Sequence, residues 1–192
     1  MALRQAQGER MSAARGRYKG DDDVNWEAFS REAPELASLA EGRFEATGLA
    51  LIGTVTASGE ARISPLEPVI AGGRLYLGMM WQSKKALDLL RDPRCLVHSV
   101  VSDKNGTGGE VKLRGRVAEV TDAVERERFV EAAFEKTGFR PPEPYHLFAL
   151  DIERASFVKY SGEGHQTVKR WRAGAAVETK VRNWTGSGHV DA

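Results

Sequence analysis

Two hydrophobic periods divide the chain. Trp26, Phe29, Leu36, Leu39 and Phe44 recur at helical spacing, interrupted at Pro34, whose ring disfavours helical geometry in the preceding residue. From Thr47 the period falls towards two: TGLALIGTVTA is rich in β-formers, Ser58-Gly59-Glu60 signals a turn, and ARISPLEPVI follows as a second strand. Gly72-Gly73 turns the chain into a third strand, RLYLGMM, so the three segments predict an antiparallel meander. Pro65 and Pro68 lack the amide hydrogen a central strand needs and push the middle strand to an edge or a bulge.

A helical period returns at Ala86, Leu87, Leu89 and Leu90 and stops at Asp92-Pro93. CLVHSVV and EVKLRGRVAEV read as strands around the polar loop DKNGTGG. Asp122 to Thr137 reads as an amphipathic helix, with Val124, Phe129, Val130, Ala133 and Phe134 on one face and Gly138 at its end. RPPEPYH reads as a stiff connector, LFALDI and ASFVKYS as strand material, and TVKRWR and AAVETKV as short strands before a loose end. Helices inserted between hairpins, with no βαβ alternation, predict a small barrel or α+β fold.

Composition narrows the function classes. The 192 residues, 41% hydrophobic and 29% charged, suit one globular domain, and a net charge of +1 gives no global pull towards nucleic acid or an anionic membrane. Cys95 is the only cysteine, which excludes an intrachain disulfide and fits a reducing compartment; within Cys95-Leu-Val-His it reads as a core thiol. No apolar run approaches the roughly 20 residues of a membrane helix, and the N-terminus has no signal-peptide core, so a cytoplasmic protein is expected. The expected organisation is a disordered arm over residues 1–24, a domain over 25–162 and a partly ordered extension over 163–192.

Familiar catalytic patterns are missing. Gly106-Thr107-Gly108-Gly109 lies between strands and lacks the third glycine of a dinucleotide fingerprint. His98, His146, His165 and His189 show no ligand spacing, and Gly186-Ser187-Gly188 is no nucleophile elbow. Asn105-Gly-Thr and Asn183-Trp-Thr match the glycosylation pattern without a secretory signal. What remains is LYLGMMWQSKKALDLLRDPR, Leu75 to Arg94: a strand delivers Ser83, Lys84 and Lys85 to a helix start, where a hydroxyl, two ammonium groups and free backbone N–H groups describe a phosphate site.

ARISP, LYLGMMWQSKKALDLLRDPR and EVKLRGRVAEV, in that order, resemble the flavin-binding split-barrel family typified by pyridoxamine 5′-phosphate oxidase, over about Phe44 to Tyr160. The resemblance implies a six-stranded antiparallel split β-barrel with flanking helices, a homodimer, and a cofactor at the subunit interface. It places Arg62, Ser83, Lys84 and Lys85 on the cofactor phosphate, and Ile63, Ser64 and Met79 along the ribityl chain and ring. The family's substrate element Arg-Leu-His-x-Arg is missing, with Glu163-Gly164-His165-Gln166 in its place, so vitamin B6 oxidation is not implied; Glu110 stands where members often carry Gln. The pattern is most similar to flavin and deazaflavin reductases using FMN or coenzyme F-420. The expectation is a homodimeric oxidoreductase passing hydride or electrons to a small organic substrate, with no catalytic side chain, no metal and no nucleic-acid or membrane partner. A flavin carrier or sensor without turnover is the alternative, and an interaction module using its basic arm is a third.

Overall fold

The computed structural model describes residues 24–161, 164–185 and 188–191. The expected arm lies outside the described residues apart from Val24, which is buried and accepts a hydrogen bond from Ile152 N at 2.7 Å. In chain order come α1 (Trp26–Glu32), α2 (Pro34–Thr47), β1 (Ala50–Val55), β2 (Ala61–Leu66), β3 (Pro68–Ala71), β4 (Arg74–Met80) and α3 (Lys84–Arg91). They are followed by β5 (Arg94–Ser99), β6 (Glu110–Glu119), α4 (Ala123–Thr137), β7 (Tyr145–Tyr160), β8 (Gln166–Arg172), β9 (Glu178–Trp184) and β10 (His189–Asp191).

Helix boundaries follow from their caps. Asn25 caps α1 by accepting from Ala28 N, and Asp122 caps α4 by accepting from Val124 N and Glu125 N. Pro34 sits in the first turn of α2, where its missing N–H costs nothing.

The sheet is antiparallel throughout, in the order β10-β9-β8-β7-β6-β5-β1-β2, with β4 pairing both β3 and β7. The expected second strand is bent at Glu67, between the two prolines: β2 pairs with β1, and β3 pairs with β4. This bent segment links the two edges of a split barrel, and the sheet itself is not closed. Counting it once leaves six barrel strands, as expected; β8 to β10 extend the sheet, which has ten strands among the described residues when β2 and β3 are counted separately. LFALDI and ASFVKYS are one 16-residue strand, not two, because β6 pairs along its length while β4 takes its first half and β8 its second. The connector ends before Tyr145, since Tyr145 and His146 already pair with β4.

Two cores flank the sheet. Phe29, Leu36 and Phe44 of α1 and α2 pack against Ile52, Leu75, Leu113, Leu150 and Trp171; each buried aromatic or leucine contributes about 1.5–3 kcal/mol. On the other side Phe129 and Ala133 of α4 pack against Tyr76, Tyr145 and Leu147. Gly78 permits this, because a Cβ there would lie 2.6 Å from Phe129 Cζ. Val124 and Phe134, expected on the buried face of α4, are exposed, since the strands beneath it meet only the narrower stripe around Phe129 and Ala133. Among the described residues no helix is long and apolar enough to cross a membrane.

Candidate functional site

The junction of β4 and α3 is built tightly. Gln82 takes the left-handed region at φ 56°, which costs a non-glycine residue about 1–2 kcal/mol, and Ser83 N closes the turn on Met80 O at 3.1 Å. Ser83 is the N-cap of α3, yet its side chain makes no capping hydrogen bond. Its Oγ is buried with no partner among the described residues. A buried hydroxyl normally finds one, and this one stands where the helix dipole favours an anion.

The two lysines differ. Lys84 is exposed, whereas Lys85 is half-buried and donates a hydrogen bond to Pro65 O, tying the loop to β2. Burial lowers the Lys85 ammonium below its ordinary value, and the charge of Glu67 works against that shift.

One turn further along α3, Asp88 is 5% exposed and fully engaged. Its Oδ2 accepts from Thr54 Oγ1 at 2.9 Å and Arg62 Nε at 2.7 Å, and Arg91 Nη1 lies 3.5 Å from Oδ1. Burial alone would raise its pKa; the hydrogen bonds from Arg62 and Thr54 and the charge of Arg62 outweigh it and hold the carboxyl below the usual range. Arg62 is thus fixed through Nε, while its two terminal nitrogens make no hydrogen bond to a described residue.

Strand alternation sorts the other candidates. Arg62 and Ser64 stand opposite the buried Thr54 and Ile52, on the face that α3 covers. Ile63 points the other way and is 73% exposed. Met79 is a core residue at 4% exposure, and its neighbour Met80 is 79% exposed. The structure therefore gathers Arg62, Ser64, Ser83 and Lys85 about α3 and β2, leaves Lys84 in solvent, and turns Met79 inward.

One residue near the loop escaped the sequence. His146 is 3% exposed, opposite Met79, and the ring of Trp81 stacks on it at 4.4 Å and 11°. Neither ring nitrogen has a hydrogen-bond partner among the described residues, although Nδ1 is 3.7 Å from Glu119 Oε1. Only the period-two alternation with Phe148 could have signalled that His146 belongs to a strand. Cys95 is buried, and burial followed by the charge of Glu153 pushes its thiol up to about 12, so it stays protonated. A cleft of about 370 Å³ opens elsewhere, lined by residues including Val101, Lys104, Asn105, Glu110 and Tyr160. Glu110 is contacted by Lys112 and lies 3.5 Å from His98 Nε2.

Among the described residues, a split antiparallel barrel thus carries a hydroxyl without a hydrogen-bond partner and a half-buried lysine at the start of one helix. Residues 39–159 match the family model described as pyridoxamine 5′-phosphate oxidase, and the chain belongs to that family. No curated protein matches it. Among solved structures it is similar to an FMN-binding, pyridoxamine 5′-phosphate oxidase-related protein from Nostoc punctiforme, at 14% identity and TM-score 0.55, covering 79% of this chain and 98% of that one. It is similar to ChuZ of Campylobacter jejuni at 11% identity and TM-score 0.59, covering 87% and 67%. A heme-binding protein from Mycobacterium smegmatis shares 17% identity at TM-score 0.54, covering 70% of this chain and 57% of that one. At such identities these likenesses establish the fold.

Proposed function

We propose that the protein is a homodimeric, FMN-dependent oxidoreductase acting on a small organic substrate, with the flavin phosphate at the start of α3. The observation that carries this is the buried, unpartnered Ser83 Oγ beside Lys85. The residues fit a phosphate: Ser83 can donate, Lys85 and the terminal nitrogens of Arg62 supply positive charge, and the first N–H groups of α3 are unpaired. A bound flavin would supply the hydride or electron transfer. The chain's part is to bind, orient and exclude water. Ser64 backbone and the exposed Ile63 and Met80 lie on the two strands that meet the loop, and their apolar surface suits a ring covered by a second subunit. Trp81, seated on His146, holds the loop's entry in place. The cleft beside Glu110 is proposed for the substrate.

Purified protein should retain FMN through gel filtration, with flavin absorbance, and light scattering should report about twice the 21.1 kDa chain mass. Parallel loading with coenzyme F-420 and with hemin decides the cofactor. Retention of hemin alone, or of none of the three, would remove the flavin assignment, and FMN retention without turnover with any electron donor would leave a carrier.

A further inference from the structure

Six residues stand opposite one another in a single row across the sheet: Ile63, Gly53, Leu96, Arg114, Arg154 and Arg172, on β2, β1, β5, β6, β7 and β8. Directly paired residues project to one face, and this face is the one α3 leaves uncovered. Arg114, Arg154 and Arg172 are all exposed, and none of their side chains has a hydrogen bond or ion pair with a described residue. Like charges directly opposite on neighbouring strands repel, and here they do so twice in succession.

The register makes this arrangement at the expense of a better one. Gly115 pairs with Ile152, so regular pairing would set Arg114 opposite Glu153. A β-bulge between Arg114 and Gly115 shifts the register by one residue and sets Arg114 opposite Arg154 instead, leaving Glu153 to Arg116 at 3.2 Å. Gly115 is required at this point, because a Cβ there would lie 1.8 Å from Asp151 O. Bulges commonly re-aim side chains next to functional sites. This one replaces an available ion pair with a like-charge contact.

We propose that Arg114, Arg154 and Arg172 form a binding site for the polyphosphate of a small molecule, of the kind nucleoside di- and triphosphates carry. With strands about 4.8 Å apart, the ladder spans about 10 Å. Guanidinium forks bind phosphate oxygens two at a time, and three in line suit two or three adjacent phosphates better than one. The cationic part ends at Leu96, where the row turns apolar, so it is too short for the repeated phosphate contacts of a polynucleotide. The ladder does not depend on flavin binding at α3.

Calorimetric titration of the full chain at low salt with inorganic tripolyphosphate, AMP and a single-stranded oligonucleotide tests this. Tripolyphosphate should bind at least tenfold more tightly than AMP. Arg154→Gln should weaken tripolyphosphate by about tenfold or more, while raising the ligand-free Tm by about 1–3 °C as the repulsion is relieved. Arg31→Gln, which removes the same charge from α1, should leave tripolyphosphate affinity unchanged. No binding, an equal loss of affinity in Arg31→Gln and Arg154→Gln, or an oligonucleotide bound more tightly than tripolyphosphate and weakened by Arg154→Gln would each overturn the proposal.

Discussion

The two ends of α3 solve the same problem in opposite ways. Asp88, near its C-terminal end, is a buried charge with Thr54, Arg62 and Arg91 around it. Ser83, at its N-terminal end, is a buried hydroxyl with no hydrogen-bond partner among the described residues, and Lys85, two residues on, keeps its ammonium half-buried with only a backbone carbonyl as partner. A closed polar cluster stabilises the fold; at the start of the same eight-residue helix a buried hydroxyl is left unsatisfied among the described residues. The contrast separates residues that hold the site's frame from residues free to act in it, and Arg62 belongs to both.

Breaking the closed cluster should have the largest effect. Asp88→Ala strands Arg62 and Thr54, and should destabilise by about 2–4 kcal/mol, less than a fully buried pair would lose because Arg62 reaches solvent. Thermal melting should fall by about 5–15 °C, and an unchanged Tm would mean that Asp88 is not the anchor of α3. At the open end, Lys85→Ala should weaken FMN binding by roughly ten- to a hundred-fold while moving the urea midpoint little.

The closed cluster also sets acid sensitivity. Asp88 titrates below an unfolded aspartate, so between the two values the unfolded chain binds more protons, and stability that is complete above about pH 4 is lost as the pH falls. Asp92 acts in the same direction: hydrogen bonds from Arg94 hold it at about 2 despite partial burial, placing its share of the loss between about pH 4 and 2. Urea midpoints between pH 6 and 2.5 should decline, and Asp88→Asn should flatten the decline; parallel curves would assign it to other carboxylates. The smallest effect is the most discriminating. Ser83→Ala removes a hydroxyl with no partner, so unliganded stability should hold within about 0.5 kcal/mol, unlike the roughly 1 kcal/mol typical of a lost cap. FMN affinity should still drop several-fold. A lower ligand-free Tm would show that Ser83 caps the helix after all.

Local pattern made much of the fold legible. Pro34, the change of period at Thr47, Gly72-Gly73 and Asp92-Pro93 mark boundaries by backbone chemistry that acts within a few residues, and the structure has them there. Long-range partners were not legible. The Asp88 cluster joins residues 26 and 34 positions apart, the bend at Glu67 shows its meaning only when β1 and β4 take one half each, and the bulge opposite Arg114 is a matter of register. The candidate loop was readable because Ser83, Lys84 and Lys85 are consecutive. Its strand neighbours were readable only as a set, since the choice between Met79 and Met80 depends on which face is the core.

If the start of α3 binds the phosphate of a flavin, as proposed, FMN and riboflavin should bind differently, because the two differ by that phosphate alone. Titrating both into wild-type protein and Lys85→Ala should show FMN binding at least tenfold more tightly than riboflavin to the wild type, and the difference largely lost in the variant. Equal affinity of the wild type for the two, or a difference that survives Lys85→Ala intact, would contradict it.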